Sequence, residues 1–187
     1  CGICDDDSAN DCDMDCNGEW GGSAVIDECG VCGGDNSTCV FPSTEMSAYY
    51  FSSITLDGEA LSLTDEIRAF NESTGIMVGY ATYQNVDYGY TEVLVYGEID
   101  IEDSDATFNT EGYMLPGQIP TFRIFDTSEV RYYGAEASGL VEVVFENACE
   151  GEAPACMEWN TNQFYIIEEL NGDSNTIFGC MDELACN

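Results

Sequence analysis

The chain has 187 residues, of which 37 are Asp or Glu and only three are basic, Arg68, Arg123 and Arg131. Because there is no Lys or His, the formal charge at pH 7 is −34, and nucleic acids and anionic lipid headgroups would be repelled. The lack of His and Lys also removes the commonest general base and the amine that forms Schiff bases, so we predict that the chain is not an enzyme.

Eleven cysteines occur in this acidic chain. This usage predicts disulfide bonds and an extracellular or cell-surface location, where the environment is oxidising. The sequence has no initiating Met, no signal peptide and no apolar run long enough to span a bilayer. We therefore expect a mature polypeptide or a section of a longer one.

Residues 1–39 form the first predicted segment, which has too few large apolar side chains to build a core. Cys-Gly-Ile-Cys at residues 1–4 recurs as Cys-Gly-Val-Cys at 29–32, which indicates a repeat. Oxygen-bearing side chains alternate here as in calcium loops, although the glycine placement and distal glutamate of an EF-hand are missing. We predict Ca²⁺ as the cofactor, against the alternative of a solvated acidic linker. The candidate ligands are Asp5, Asp7, Asp11, Asp13, Asp15, Asn17, Asp27 and Asp35.

Residues 40–170 differ, because aromatic and β-branched runs alternate with turn signals at short spacing. Short strands without any helical period predict an all-β fold, a β-sandwich or jelly roll. A change of the buried face within residues 141–146 predicts a β-bulge. The predicted strands are 48–55, 66–71, 76–83, 90–97, 121–126, 130–133, 140–146 and 164–169. The predicted turns are 57–58, 73–75, 111–112, 116–117 and 171–172.

Residues 171–187 return to the acidic, cysteine-bearing composition of the first segment, with Cys180 and Cys186. They are predicted to begin a second cysteine-rich connector. The expected organisation is therefore a β-sandwich domain at 40–170 between largely irregular, disulfide-rich connectors at 1–39 and 171–187.

Several motifs resemble those of secreted proteins. Asp-Cys-Asn-Gly-Glu-Trp-Gly-Gly at 15–22, followed by Asp-Glu-Cys-Gly-Val-Cys at 27–32, resembles the tandem Asp/Cys repeats of large surface proteins of aquatic bacteria. The acidic loop is similar to thrombospondin type 3 repeats, and residues 29–39 also resemble a junction in secreted metalloproteases with thrombospondin repeats. Asp-Glu-Ile-Arg-Ala-Phe-Asn at 65–71 and Phe-Arg-Ile-Phe-Asp at 122–126 resemble a β-sandwich module of the bacterial proteins. The resemblance implies a secreted, adhesive or fibre-forming protein without catalytic residues.

The spacing C-x2-C…C-x2-C is by itself typical of a zinc site. The complete repeat, however, has four cysteines of its own, which suits two internal disulfides. We predict that Cys16, Cys29, Cys32 and Cys39 pair among themselves. Cys149 and Cys156 are predicted to close a short loop around Pro154.

Two sequons make Asn36 and Asn71 candidate glycosylation residues. Covalent glycans are therefore expected partners, and glycans on Ser or Thr are an open alternative. The abundant Tyr and Phe side chains are predicted mainly as sandwich core, with a sugar-binding face as the alternative.

The function predicted from these features is a structural subunit of an extracellular surface fibre, which assembles head to tail with copies of itself. Strand addition from a neighbouring copy would strengthen this contact, and residues 41–53 and 163–170 are the candidate donors. The alternative is a carbohydrate-binding or adhesion module of a larger secreted protein. A more distant alternative is a glycoside hydrolase that uses an acid pair. Neither nucleic-acid binding nor membrane insertion is expected.

Overall fold

The computed structural model describes residues 22–25, 33, 39–84, 89–99, 110–144 and 151–178. The chain divides into two compact units, Cys1–Cys39 and Val40–Asn187. In the first unit, the N–H of Gly33 donates to the carbonyl oxygen of Val25 at 2.8 Å. The strands that the structure describes all belong to the second unit.

The described part of the second unit is all-β and contains no helix, so the predicted all-β class is confirmed. The turns predicted at 57–58, 73–75, 111–112 and 116–117 are also present. The strands are β1 (Met46–Leu56), β2 (Glu59–Ala60), β3 (Glu66–Phe70), β4 (Met77–Thr82), β5 (Thr91–Tyr96), β6 (Thr121–Asp126), β7 (Arg131–Val143), β8 (Gly151–Glu152) and β9 (Phe164–Phe178).

Alternation of buried and outward side chains explains why these segments form strands. In β5, Val93 and Val95 are fully buried, whereas Glu92 is exposed. In β1, Tyr49 and Phe51 are buried in the core, while the side chain of the intervening Tyr50 reaches Glu92 on the outward face. Strands such as β1 and β5 therefore present one apolar face to a common interior.

The strands form one mixed sheet in the order β2-β1-β9-β7-β6-β3-β4, with β5 also paired to β1 and β8 to β7. The pairs are antiparallel except that of β1 and β9, which run parallel. The parallel register extends from Ala48 opposite Phe164 to Leu56 opposite Gly172. The first and last of the described strands are therefore neighbours within the sheet.

The sheet curls around its own core, because side chains from distant strands meet across it. The ring of Phe122 on β6 lies 5.6 Å from that of Tyr49 and 4.9 Å from that of Phe51, both on β1. Strands β9 and β7 separate β6 from β1 in the sheet order. At the ends of the curl, β4 approaches β5 so closely that a Cβ on Gly79 would overlap the carbonyl oxygen of Leu94.

A loop residue completes the core. Trp159, which precedes β9, is 2% exposed, and its indole N–H donates to the carbonyl oxygen of Val95 at 3.0 Å. Gly97 makes room for it, since a Cβ at that position would overlap the indole ring. The interior therefore depends on the loop that leads into β9 as well as on the strands.

Strand β7 is longer than the sequence predicts. The predicted strands 130–133 and 140–146 contribute to one strand, which also contains Gly134 and Gly139. The ladder between β7 and β9 shifts register between Tyr133 and Gly134, and again between Ser138 and Val141. Both irregularities precede the region where the bulge is predicted.

Strand β9 also exceeds its prediction. It continues through Asn171 and Gly172 to Phe178, so the turn predicted at 171–172 is wrong and the domain boundary predicted at 170 falls inside a strand. The glycine serves close packing instead, because a Cβ on Gly172 would lie 2.6 Å from Cδ1 of Ile124 and 3.0 Å from Cδ1 of Leu56.

We expect Gly79→Ala to destabilise the second unit, because the new Cβ would collide with the backbone of β5, which cannot move aside like a flexible side chain. Overpacking of this kind costs about 1–3 kcal/mol. The control is Thr82→Ala at an exposed position of the same strand, which should change the free energy of unfolding by less than about 0.5 kcal/mol. Chemical denaturation measures both values, and equal stability of the two variants would show that β4 and β5 do not close the curl.

Candidate functional site

Most of the predicted site residues lie outside the described part of the chain. This holds for the eight candidate calcium ligands, for Asn36, and for four of the cysteines, Cys16, Cys29, Cys32 and Cys149. Among the residues that the structure describes, no group of three or more His, Cys, Asp or Glu side chains is arranged to hold a metal ion. The assignments of calcium, and of a glycan at Asn36, stay predictions.

Cys39 and Cys156 are the predicted disulfide residues that the structure describes. Both are disulfide-bonded, and they are 5% and 4% exposed. Cys156 packs in the hydrophobic core of the second unit. The pairings predicted for the two residues stay predictions, because their expected partners lie outside the described residues.

Asn71, the other predicted glycosylation residue, has a structural role after β3. Its side chain is 3% exposed, and its amide nitrogen donates to the carbonyl oxygens of Gly112 and Tyr113, both at 3.0 Å. Its own side-chain oxygen accepts from the N–H and the hydroxyl of Ser73. A glycan on this nitrogen would displace these contacts, so the folded unit argues against Asn71 as a glycosylation site.

A groove of about 430 Å³ opens on the outward face of β6, β7 and β9. Its polar lining consists of Glu72, Thr121, Arg123, Glu136, Ser138, Asn171 and Asp173. Gly134 pairs with Arg123 on one side and with Asp173 on the other. Since directly paired residues point to the same face of a sheet, the missing side chain of Gly134 leaves the space between Arg123 and Asp173.

The backbone conformation of Gly134 does not itself require glycine, because this residue is not among those with positive φ. The residue lies at one of the register shifts between β7 and β9. Bulges occur often beside binding sites, and a glycine within a strand often marks the close approach of a ligand or another backbone. The glycine is therefore best explained by the space that it leaves.

Contacts within the unit hold the polar groups of the groove in place. The guanidinium of Arg123 lies 4.2 Å from the ring centroid of Phe70, and burial lowers the pKa of Arg123 from its ordinary value. Asn171 accepts a hydrogen bond from Thr55 at 2.9 Å and donates to Ser138 at 3.2 Å. Asp173 accepts two hydrogen bonds from Asn175, each at 2.8 Å. The groove thus offers fixed donors and acceptors on both sides.

The other two arginines lie on the same part of the sheet and outside the groove lining. The guanidinium of Arg68 lies 3.9 Å from the ring centroid of Phe125 and forms an ion pair with Glu66 at 2.8 Å. Arg131 lies 3.6 Å from Glu129. Arg123 is therefore the basic side chain that lines the groove.

A second outward feature is an aromatic strip made of Tyr50, Tyr90 and Phe164. The ring of Tyr50 lies 6.3 Å from that of Tyr90 and 6.4 Å from that of Phe164. The Tyr50 hydroxyl donates to Glu92 at 2.7 Å, and partial burial together with this contact raises the pKa of Tyr50 to about 12. The aromatic side chains are therefore divided between the core and an outward surface.

The sequence does not predict this groove. Its charged residues have the composition of ordinary outward strand positions, and Gly134 falls between two predicted strands. The sequence feature that could have indicated the groove is Gly134, a glycine beside a strand-forming run with polar residues nearby. That signal gains meaning only when the register places Arg123 and Asp173 on either side of it.

Asn71→Ala should destabilise the second unit, because it removes the amide that satisfies the carbonyl oxygens of Gly112 and Tyr113. A buried polar group left without its partner costs about 1–3 kcal/mol. The control, Ser73→Ala, destroys the same sequon but removes only the hydroxyl contacts to Asn71 and Gln118. Denaturation compares the variants, and mass spectrometry of native material should find Asn71 unmodified. A glycan there would contradict its placement in the fold.

Alkaline pH should destabilise the second unit. Burial raises the pKa values of Tyr49 and Tyr165, and that of Tyr50 is raised to about 12 from an ordinary 10.0. Raised folded-state values favour the neutral phenols, so this stability is present below pH 10 and is lost as the pH rises toward 12. Tyrosinate absorbance should show Tyr50 titrating late, and earlier in Glu92→Ala. An unchanged titration curve in that variant would contradict the role given to Glu92.

No protein-family model, curated protein or solved structure matches this chain. The resemblance to surface repeat proteins of aquatic bacteria therefore stays a prediction. Within the described residues, no helix is both long enough and apolar enough to cross a membrane.

Proposed function

We propose that this chain is a load-bearing structural module of an extracellular surface fibre. The observation that supports the proposal is the parallel pairing of β1 with β9, the first and last strands of the described second unit. In this proposal the curl of the sheet supplies the two facing layers of a β-sandwich, and tension passes along the polypeptide from one module to the next.

The direction of the two strands decides how they would resist tension. Force would enter at the beginning of β1, near Ala48, and leave at the end of β9, beyond Gly172. Because the strands run parallel, these two points lie at opposite ends of a ladder about 26 Å long. Pulling them apart would slide the strands along each other and load all their hydrogen bonds together. Antiparallel terminal strands would instead open one bond at a time.

Neighbouring strands reinforce this ladder on both sides. β1 is also paired with β5 from Met46 to Phe51, and β9 is paired with β7 along much of its length. Neither terminal strand is therefore a free edge that could be peeled away alone. Each ladder hydrogen bond contributes only about 1 kcal/mol to stability, so simultaneous loading matters more than the strength of any single bond.

The connectors of the proposed module would be stiffened by calcium and disulfides. The acids between Asp5 and Asp35 have no Lys or Arg among residues 1–39 to balance them, and oxygen-rich sites of this kind suit Ca²⁺. Cross-links would replace the hydrophobic core that such segments lack. Covalent glycans, with Asn36 as the remaining sequon candidate, would cover part of the acidic surface.

Modules would follow one another head to tail, either within one polypeptide or as separate copies. The candidate donors 41–53 and 163–170 contribute to β1 and β9 within their own unit. Strand exchange would keep the same ladder but form it between copies, as in domain swapping. Mixing isotope-labelled and unlabelled copies separates the two forms, since only exchange puts a labelled β1 beside an unlabelled β9.

Single-molecule force spectroscopy tests the load-bearing role. Pulling the chain between its two ends should require a force several-fold higher than pulling between its C-terminus and a handle inserted at Asp57-Gly58. The inserted handle follows Leu56, which lies opposite Gly172. In the second geometry, both pulling points therefore lie at the same end of the ladder, and the force peels β1 away from β9 starting at that end. The unfolding rate under force reports the height of the energy barrier to unfolding in each pulling direction.

The control for the inserted handle is its effect without force. The handle-bearing chain should keep the free energy of unfolding of the unmodified chain, because Asp57 and Gly58 form an exposed turn. Equal forces in the two geometries, or a lower force between the ends, would reject the load-bearing proposal.

A further inference from the structure

We propose that the groove on the outward face of β6, β7 and β9 binds an uncharged carbohydrate. This inference goes beyond the load-bearing role, because resistance to tension does not require a ligand on this face. It depends on the dimensions of the groove, on the hydrogen-bonding groups that line it and on the charges that disfavour other ligands.

The dimensions suit a small molecule. A volume of about 430 Å³ lies within the range of about 300–1,000 Å³ that is usual for ligand sites. The space exists because Gly134 has no side chain between Arg123 and Asp173. The backbone of Gly134 does not have a positive φ, so a larger residue at this position is expected to occupy part of the groove.

The polar groups suit the hydroxyl groups of a sugar. Arg123 offers only donors, whereas Glu72, Glu136 and Asp173 offer acceptors when ionised. A hydroxyl group both donates and accepts. Two adjacent hydroxyls could therefore bridge the gap above Gly134, accepting from Arg123 on one side and donating to Asp173 on the other.

The groove is organised before any ligand arrives. Arg123 is held against Phe70, Asn171 by Thr55, and Asp173 by Asn175. Polar side chains that are already fixed lose less conformational entropy on binding. The free energy of binding a weakly interacting neutral ligand is therefore more favourable in this groove than on a surface of mobile side chains.

Charge disfavours the other small ligands. An anion would meet three carboxylates of the lining in a chain of formal charge −34. A metal ion needs several converging ligands, and the described residues contain no such group. A cationic ligand would be drawn to the carboxylates but would lie beside the guanidinium of Arg123. An uncharged ligand avoids each of these costs.

Titration of the whole isotope-labelled chain with cellobiose, maltose and N-acetylglucosamine, followed by NMR, tests the proposal. At least one of these sugars should shift the amide signals of residues 121–123, 134–138 and 171–173 together. Glucuronic acid and glucosamine, the anionic and cationic probes, should produce no such shifts. If none of the three neutral sugars binds, if glucosamine alone binds, or if the shifts map to the aromatic strip, the proposal is wrong.

Variants locate the ligand within the groove. Gly134→Val should weaken binding about tenfold or more by filling the space, while its β-branched side chain suits the strand. Glu136→Gln should weaken binding without changing the shape of the groove. Thr82→Val, an exposed substitution on β4, is the matched control and should bind normally. Unchanged affinity in both groove variants would overturn the assignment, and would leave the force measurement on β1 and β9 unaffected.

Discussion

The parallel ladder between β1 and β9 is the constraint on which the second unit depends. On its inner side, the rings of Tyr49 and Tyr165 stack 4.5 Å apart. The Tyr49 hydroxyl also donates to the carbonyl oxygen of Met157 at 3.0 Å, which fixes the loop that carries Trp159. β5 and β2 pair with β1, and β7 pairs with β9. The other described strands are thus attached to this one pair, either directly or through the strands that lie between them in the sheet order.

The outward surface has two regions of different chemistry. Around β3, β6 and β7, arginine side chains lie against aromatic rings, as Arg68 does over Phe125 and Arg123 over Phe70. Such contacts stabilise a cation without requiring a nearby acid. Around β1 and β5, an exposed aromatic strip faces outward beside the carboxylate of Glu92. Two of the three basic residues of this acidic chain therefore pack on aromatic rings, and one of these two, Arg123, also lines a groove.

The sequence predicts most strands because their inward and outward residues alternate, as in β5, and because Gly-containing turns separate them. It does not predict the continuity of β7 or β9, since Gly134, Gly139 and Gly172 have the composition of turns. Their role depends on long-range packing: Gly172, for example, gives room to Ile124 on another strand. Trp159 and the groove are missed for the same reason, because neither is defined until distant segments are brought together. The calcium and sequon patterns within the first 39 residues are local sequence patterns, and the residues that form them lie outside the described part of the chain.

Native-state hydrogen exchange tests most directly whether the parallel ladder holds the second unit together. Amides that lie in the ladder between β1 and β9 should be among the slowest to exchange, and they should exchange only through global unfolding. Amides in β3 and β4, at the far end of the sheet order, should open at lower free energy. Faster exchange in the ladder than in β3 and β4 would contradict the account, because the two terminal strands could then separate while the rest of the sheet stayed folded.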